Sequence, residues 1–353
     1  MSVLDVNTVR MAADRESLEI LDQTLLPGTV KLLHLREPEE IWEAIRALRV
    51  RGAPAIGVCA GFAMALFAKN METTDIAAFL AAFREKKEYL ASARPTAVNL
   101  FWALERMERT VLQNADKPVN EIKELLFTEA QAICDEDIAI SRAIGELGFS
   151  LMKSGCGILT HCNAGTLATA KYGTATAPMY IALEKGMTDF SVYCDETRPL
   201  LQGARLTAYE LSAAGIHTTL LCDNMASSLM ASGKIDMVFV GCDRVARNGD
   251  AANKIGTSGV AILSKHYGIP FYVCAPSSTI DMRIPDGSHI PIEQRAPEEV
   301  TELWYKERMA PEGIGVYNPA FDVTDHSLIT GIITEKGICR APFDEAFRQR
   351  GIT

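Results

Sequence analysis

The chain lacks the clusters of basic residues that mark a nucleic-acid-binding surface. It has 353 residues, with 35 Lys and Arg against 45 Asp and Glu, and its formal net charge is −10. Binding to a phosphate backbone depends on grouped cations, so this balance argues against nucleic acid as a partner. It does not exclude a small anionic ligand, because a few local cations are enough to bind one.

Cysteine pairs at metal-binding or redox spacing are also missing. The nine cysteines are odd in number and scattered, and no two of them form a CxxC pair. This usage predicts a reducing, cytoplasmic location rather than a disulfide framework. It predicts no zinc site, because Cys156 and Cys162 have no other ligand types close to them in the sequence.

Secretion and membrane signals are not found either. The N-terminal MSVLDVNTVR has no apolar core of the kind a signal peptide carries. The longest apolar run, residues 53–68, is shorter than the roughly 20 residues that a membrane span needs, and it is rich in glycine and alanine. The sequence predicts a buried helix there and no membrane partner.

Three standard ligand-binding motifs are missing from the sequence. There is no GxGxxG after a strand, no GxxxxGK[ST] and no HExxH. A nucleotide-binding oxidoreductase is therefore disfavoured, and neither a cofactor nor a metal is expected.

The hydrophobic pattern changes near residue 153 and divides the chain into two predicted domains. The length of the chain also favours two domains. Domain 1–153 is predicted to be mostly helical after a small hairpin at residues 18–35 around Pro27 and Gly28. Its helices are predicted from Pro38 to just before Arg51, and at 53–68, 75–91, 96–113 and 119–153.

Domain 154–353 has a different hydrophobic pattern, in which short apolar runs alternate with helical stretches. This alternation predicts an α/β domain with a parallel sheet and right-handed crossovers. The tail from residue 316 is predicted to be a closing element docked on it. The predicted strands are 157–160, 190–193, 218–221, 237–240 and 271–273.

Polar groups follow several of these strands at the point where each strand ends. In a parallel sheet these ends share one edge, and ligands bind at that edge in open α/β folds. The segments that follow the five strands are His161-Cys162-Asn163, 194–198, Cys222-Asp223-Asn224, Cys242-Asp243-Arg244 and Cys274-Ala275-Pro276.

Asp243 is the first candidate for chemistry at this edge. It follows the apolar strand 237–240, and a charged loop is predicted from Arg244 to Lys254, before a helix that begins near Thr257, with Thr257 as its predicted N-cap. We expect partial desolvation of Asp243, which favours the neutral acid that a general acid needs. The alternative is an ordinary loop carboxylate that caps Arg244 or a backbone amide.

Cys162 is the second candidate, in the segment THCNAGTLAT. The small residues after it predict a tight turn into a helix, and a helix N-terminus lowers the pKa of a thiol. The alternative is a buried structural cysteine, since four other strand ends also carry one. His161 is not expected to pair with Cys162, because neighbours in a strand point to opposite faces.

Candidate ligand-binding residues come from separate parts of the chain. Arg51 and Arg94 are each followed by a proline and a helix start, a context suited to a phosphate clamp. Gln202 opens a helix after a strand, and its amide is suited to sugar hydroxyls. Solvated or salt-bridged arginines, and packing at a helix start, are the competing interpretations.

Six motifs together resemble the methylthioribose-1-phosphate isomerases of methionine salvage, within the initiation factor 2B α/β/δ-subunit-like family. The resemblance runs in order over nearly the whole chain and reaches NPAFDVT and GIITEKG near its end. Related families are the regulatory subunits of the eukaryotic initiation-factor exchange complex and archaeal ribose-1,5-bisphosphate isomerases. The motifs are RGAPAIG (51–57), RPTAVNL (94–100), HCNAG (161–165), ETRPLLQGARLTAYEL (196–211), GCDR (241–244) and NGDAANKIGT (248–257).

The resemblance implies a helical N-terminal domain, a Rossmann-like C-terminal domain and a homodimer. It assigns the catalytic thiol to Cys162 and the catalytic acid to Asp243. Cys242 is a departure, because the family more often has alanine there. The substrate contacts that it implies are Arg51, Gly52, Ala53, Arg94, Gln202, Asn253 and Lys254.

The implied reaction converts a cyclic aldose 1-phosphate into an open-chain ketose 1-phosphate, without a metal or redox cofactor. Asp243 would protonate the ring oxygen. Hydrogen would then move from C2 to C1, either as a proton carried by Cys162 or as a hydride in a pocket that Cys162 shapes. A paralogue acting on 5-deoxyribose 1-phosphate and a non-catalytic sugar-phosphate-binding regulatory subunit are the alternatives.

Overall fold

The computed structural model describes residues 7–95 and 97–353. They form two compact units. One contains the chain up to Ala139 together with Thr166–Gly173, and the other contains Ile140–Gly165 together with Thr174–Thr353. The domain boundary at 153–154 stays a prediction.

The first unit begins with a small antiparallel sheet in the order β1-β2-β3. Its strands are β1 (Val9–Met11), β2 (Leu18–Leu21) and β3 (Leu32–Leu35). The predicted hairpin is confirmed, since Leu18 pairs with Leu35 across β2 and β3. β1 was not predicted, because three residues carry too little pattern.

Five helices follow, close to their predicted positions. Pro38 occupies the first turn of α1, where its missing N–H is not needed. The predicted start of α4 at Thr96 lies outside the described residues, and α5 ends four residues before the predicted 153. The helices are α1 (Pro38–Arg46), α2 (Ala53–Lys69), α3 (Ile76–Ala91), α4 (Val98–Gln113) and α5 (Val119–Phe149).

Helix α2 forms the centre of the first unit's core. Every residue from Ala55 to Ala68 is buried. A β-carbon on Gly61 would lie 3.1 Å from Ile133 Cδ1 of α5, so the small residue lets these helices approach closely. The prediction of a buried helix is confirmed, and among the described residues no helix has the length and apolarity to cross a membrane.

The second unit combines two sheets with short helices. Four of its strands, β4, β7, β10 and β13, are buried along their whole length, which accounts for their largely apolar sequences. The strands are β4 (Gly157–Thr160), β5 (Ser191–Asp195), β6 (His217–Leu221), β7 (Met237–Val240), β8 (Arg244–Ala246), β9 (Ala251–Lys254), β10 (Phe271–Cys274), β11 (Ile280–Asp281), β12 (Phe321–Thr324), β13 (Gly331–Thr334) and β14 (Gly337–Cys339). The helices are α6 (Ala177–Glu184), α7 (Ala208–Ala213), α8 (Ala226–Ala231), α9 (Thr257–Tyr267), α10 (Glu298–Thr301) and α11 (Phe343–Gln349).

The larger sheet has seven strands in the order β14-β13-β10-β7-β4-β5-β6. All neighbouring strands are parallel except β13 and β14. The chain starts in the middle at β4, runs outward through β5 to β6, and then returns to β7 on the other side of β4. The direction therefore reverses between β4 and β7, the place where open parallel sheets form a ligand crevice.

Two predictions about this unit were wrong in detail. Residues 244–254 are not a loop but the antiparallel hairpin β8–β9, within a second sheet of order β11-β8-β9-β12. Thr257 is the first residue of α9 rather than its cap, and Gly256 caps the helix with φ 104°. The tail is confirmed as part of this unit, because it supplies β12, β13 and β14 to the two sheets.

Candidate active site

Cys162 has an unusual backbone conformation directly after β4. Its φ is 66°, in the left-handed region that L-residues with a side chain avoid. Its N–H donates a hydrogen bond to Thr197 Oγ1 at 2.8 Å, and its C=O accepts one from Thr207 Oγ1 at 2.6 Å. Strained residues that are held in this way cluster at functional sites.

The expected helix after Cys162 is missing. Thr166–Ala168 forms a single 3₁₀ turn, and the next helix, α6, begins only at Ala177. A turn of this length has no sizeable dipole, so the helix N-terminus predicted to follow Cys162 is not present. The prediction of a tight turn holds, because the C=O of Ala164 accepts hydrogen bonds from the N–H groups of Thr174 and Ala175.

His161 is buried and uses both ring nitrogens. Nδ1 lies 2.9 Å from Asp195 Oδ2, and Nε2 lies 2.9 Å from the C=O of Ile255. A carbonyl oxygen only accepts, so Nε2 carries a proton. Burial opposes the charge of His161, but the hydrogen bond and charge of Asp195 outweigh burial and raise its pKa. Neither nitrogen is left for Cys162, in keeping with the prediction against a Cys–His dyad.

The same histidine connects the loops that follow β4 and β9 to the last residue of β5. Gly256 packs directly on the ring, since a β-carbon there would lie 2.8 Å from His161 Cε1. Lys254 is only two residues away from that contact. The thiol loop and the loop after Lys254 are therefore fixed to one buried side chain.

Asp243 is exposed to solvent in the chain without a ligand, so the prediction of its partial desolvation was wrong for this state. The buried strand β7 ends at Val240, and its burial does not extend three residues further. The backbone N–H of Asp243 donates to the C=O of Ala252 at 2.9 Å. This bond fixes Asp243 at the start of the β8–β9 hairpin.

The loop containing Asp243 lies next to the loop containing Cys162. β4 and β7 are neighbouring parallel strands, and a β-carbon on Gly241 would lie 2.4 Å from Ala164 Cβ. Only glycine permits this close approach of the two strand ends. The acid and the thiol thus leave adjacent strands at the same edge of the sheet.

The hairpin β8–β9 also brings two predicted ligand residues to this edge. Arg244 pairs with Ala252, a register that places Asp243 beside Asn253. Asn253 is buried and donates to Thr257 Oγ1 at 3.0 Å. Lys254 Nζ donates to the C=O of Ala320 at 2.8 Å and lies over the Phe321 ring.

Gln202 completes the predicted set in the second unit. It precedes a π-helical turn at Gly203–Thr207, as predicted for a residue that opens a helix. Its side chain is 8% exposed, and its Oε1 has no hydrogen-bond partner among the described residues. A buried acceptor of this kind is suited to a ligand hydroxyl.

The four remaining predicted residues, Arg51, Gly52, Ala53 and Arg94, belong to the first unit. Gly52 caps α2 with φ 90°, and a β-carbon there would lie 2.4 Å from the C=O oxygen of Ala168. Arg51 directly precedes this helix N-terminus, and Arg94 lies four residues before α4.

The N-terminal turns of α2 and α4 lie close together. A β-carbon on Gly57 would lie 3.2 Å from the C=O oxygen of Asn99, which is in the first turn of α4. Because helix N-termini favour anions, this end of the helix pair, with Arg51 and Arg94, is suited to a phosphate.

Metal binding does not fit the two described clusters of His and acidic residues. In the cluster of His161, Asp195 and Asp223, both histidine nitrogens are already hydrogen bonded. In the other cluster, Asp250 accepts hydrogen bonds at both oxygens, from groups that include the N–H of Gly287 and of His326.

The sequence placed the segment 194–198 at this edge of the sheet but did not predict which residues support Cys162. Thr197, Thr207 and Asp195 act through contacts between segments more than 30 residues apart, which no local pattern reveals. The β8–β9 hairpin did have a local signal, because Asn248-Gly249 is a favoured hairpin turn and Gly249 has φ 95°.

Comparison with known proteins identifies the family. A model described as the initiation factor 2 subunit family matches residues 49–341. The chain belongs to this family. A protein named methylthioribose-1-phosphate isomerase from Symbiobacterium thermophilum is 64% identical over 94% of this chain and 92% of its own length. A protein of the same name from Parabacteroides distasonis is 59% identical over 94% and 98%.

Solved structures of proteins with related names have the same fold as this chain. The 5-methylthioribose 1-phosphate isomerase of Pyrococcus horikoshii OT3 superposes with a TM-score of 0.93 at 43% identity, covering 98% of this chain and 95% of that one. A structure titled translation initiation factor eIF-2B, subunit delta, from A. fulgidus has a TM-score of 0.90 at 39% identity, with 98% and 99% covered. The chain therefore shares with these structures a mixed α/β fold, with a helical N-terminal region and a largely parallel sheet.

Proposed function

We propose that this chain is an aldose–ketose isomerase that converts 5-methylthioribose 1-phosphate into 5-methylthioribulose 1-phosphate in methionine salvage. The observation that carries the proposal is the identity of 64% and 59% to proteins named for this activity, over more than nine-tenths of each chain. The edge of the parallel sheet, where Cys162 and Asp243 leave adjacent strands, supports it.

Asp243 is proposed as the acid that opens the ring. The anomeric carbon of the substrate is esterified, so the ring cannot simply open to a free aldehyde, and the ring oxygen must be protonated as its C–O bond breaks. Asp243 is exposed in the chain alone. A bound sugar would cover it, and removal from water favours the neutral carboxylic acid that donates this proton.

Cys162 is proposed to act at C1 and C2 of the opened sugar. In one route its thiolate removes the proton from C2 and returns it to C1. In the other route hydrogen moves from C2 to C1 as hydride, and Cys162 shapes the pocket. In both routes the C2 hydroxyl loses its proton as C2 becomes a carbonyl, and this proton replaces the one that Asp243 gave to the ring oxygen. Turnover in deuterated water tests the proton route, because deuterium at C1 of the product supports it, whereas the absence of deuterium supports hydride transfer or a shielded base.

The remaining residues are proposed to bind and orient the substrate. Arg51, Gly52, Ala53 and Arg94 would bind the phosphate through guanidinium groups and helix N-termini. Gln202, Asn253 and Lys254 would bind the sugar. Orientation of this kind contributes roughly 7–11 kcal/mol in well-aligned reactions.

Isomerisation of 5-deoxyribose 1-phosphate is the second candidate. A protein of that name from Petrotoga mobilis is 55% identical over 98% of this chain and 99% of its own length. The two substrates differ only in the group on C5. A non-catalytic regulatory subunit is disfavoured, because the thiol, the acid and the lysine are all retained.

A direct comparison of substrates tests the proposal. The purified chain is assayed with 5-methylthioribose 1-phosphate, 5-deoxyribose 1-phosphate and ribose 1,5-bisphosphate under one set of conditions. We expect the highest kcat/KM for the first. A higher value for either of the others would reassign the substrate, and no turnover of any of them would favour the regulatory role.

We further propose a Rossmann-like fold for the second unit, a homodimeric assembly and a cytoplasmic location. The strand order with its reversal between β4 and β7 supports the first. The nine free cysteines of the described chain support the last. The dimer is supported by the family resemblance.

A further inference from the structure

Threonine hydroxyls hold Cys162 in its left-handed conformation from both sides. Thr197 Oγ1 accepts from the N–H of Cys162, and Thr207 Oγ1 donates to its C=O. The two threonines are 0% and 1% exposed, so water does not compete for either bond. A non-glycine residue with φ 66° persists only where its surroundings over-determine it, and these two bonds do so.

Thr207 connects the turn after Gln202 to the thiol loop. It is the last residue of the π-helical turn Gly203–Thr207 and has an ordinary helical φ of −65°. Its Oγ1 also accepts from Asn163 Nδ2 at 3.0 Å. One hydroxyl therefore fixes two consecutive residues of the thiol loop from a rigid element.

Thr197 is itself fixed at the end of β5. Its Oγ1 donates to the C=O of Asp195 at 3.1 Å, and its N–H donates to Asp223 Oδ1 at 2.7 Å. Gly203 packs against this point, since a β-carbon there would lie 1.7 Å from the C=O oxygen of Asp195. Thr197 therefore fixes the position of the Cys162 N–H relative to strand β5 of the larger sheet.

We propose that Thr207 and Thr197 are positioning residues for the isomerisation, which act through Cys162 by fixing the direction of its thiol. The proposal rests on the proposed function, in which Cys162 works on C1 and C2 of the sugar. Both hydroxyls bind the backbone of Cys162, so they set the geometry of the hydrogen-transfer step rather than the affinity for the phosphate.

The test replaces Thr207 by valine, which has nearly the same shape but no hydroxyl, and by serine, which keeps the hydroxyl. Thr207→Val should lower kcat by about 10- to 100-fold, the effect of a small misplacement of a reacting group. KM should stay within about twofold, because ground-state binding is unchanged. Thr207→Ser should restore most of kcat.

Thr334→Val is the matched control. Thr334 is equally buried, and its hydroxyl also bridges two backbone groups, accepting from the N–H of Lys336 and donating to the C=O of Gly337. It lies at the β13–β14 turn, with β10 and β7 between it and β4. This variant should keep the wild-type kcat while losing a comparable pair of hydrogen bonds.

The outcomes separate positioning from a general structural role. Equal kcat values for Thr207→Val and Thr334→Val, or a rise in KM at unchanged kcat, would overturn the proposal. If Thr207→Val does not fold, Thr207→Ala is measured against Thr207→Ser in the same way. Cys162→Ser separates the positioning role of Thr207 from the catalytic role of Cys162. An inactive Cys162→Ser beside a fully active Thr207→Val removes only the positioning role, whereas a fully active Cys162→Ser removes the catalytic thiol as well.

Discussion

The ring of His161 lies against the backbone of Gly256. A β-carbon on Gly256 would stand 2.8 Å from His161 Cε1 and 2.9 Å from Nε2, and the φ of Gly256 is 104°. Both the space and the backbone conformation therefore require glycine here. This contact sets the distance between the buried histidine and the loop that follows Lys254.

Gly256→Ala should reduce both stability and turnover. The methyl group must displace the His161 ring or the loop, and the alanine must adopt a strained φ, so we expect a loss of about 1–3 kcal/mol in the free energy of unfolding. Gly259→Ala is the control, because Gly259 lies three residues further on in α9 with nothing within 4 Å of its β-carbon. Urea unfolding should show Gly259→Ala at or above wild-type stability. Equal effects of the two variants would contradict the close contact.

Asp195→Asn should destabilise the chain most at low pH. The pKa of His161 is raised above its ordinary 6.5, so its charged form contributes stability that is present below pH 6.5 and is lost as pH rises through the folded-state pKa. Asparagine leaves the imidazolium without its carboxylate partner. Breaking a buried pair costs about 3–5 kcal/mol, so the loss should approach that size at pH 6 and shrink above it.

Unfolding of Asp195→Asn and wild type at pH 6 and at pH 8.5 checks this dependence. Glu124→Gln is the control, because its ion pair with Arg15 is largely exposed and should contribute under about 1 kcal/mol. A loss for Asp195→Asn that stays constant across this range would show that His161 is not charged in the folded chain.

Cys162→Gly should be more stable than Cys162→Ala. Both variants remove the thiol, but only glycine adopts φ 66° without strain. The difference in the free energy of unfolding should be about 1 kcal/mol, the usual size of left-handed strain. If alanine and glycine are equally stable at this position, then Cys162 is not strained in solution.

Asp137→Asn should stabilise the chain more at high pH than at low pH. Burial raises the pKa of Asp137 to about 7, against the opposing hydrogen bond from the N–H of Ala170, which is 2.6 Å away. Ionisation of this carboxyl in the folded chain therefore opposes folding increasingly from about pH 4 to pH 7, and fully above pH 7. The amide carries no charge at any pH but can still accept from Ala170.

The stability gain of Asp137→Asn over wild type should accordingly be larger at pH 8 than at pH 5 in thermal unfolding. Asp135→Asn, two residues away, exposed and hydrogen bonded to Gln131, should show no such trend. A gain for Asp137→Asn that does not change between these pH values would place the folded-state pKa of Asp137 below this range.

The sequence predicted the elements whose pattern is local. β4 and β7 were placed to the residue, because fully buried parallel strands are uninterrupted apolar runs. The hairpin β8–β9 was missed, because its strands carry charged and small residues in place of alternating apolar ones. Its Asn248-Gly249 turn was a usable signal.

The site was predictable in its residue types but not in its electrostatics. The order of polar groups after the strands placed Cys162 and Asp243 at one edge, as the parallel pairing of β4 with β7 requires. The exposure of Asp243 depends on where the chain turns after Val240, which burial of the preceding strand does not specify. The support of Cys162 by Thr207 depends on tertiary contact alone.

Turnover of 5-methylthioribose 1-phosphate by Asp243→Asn and by Cys162→Ser tests the central claim most directly. Each variant should remain folded and lose kcat by about two to four orders of magnitude, the contribution of a positioned acid or base. Turnover near the wild-type rate in either folded variant would contradict the account, because the acid and the thiol at the ends of β7 and β4 would then not share one sugar.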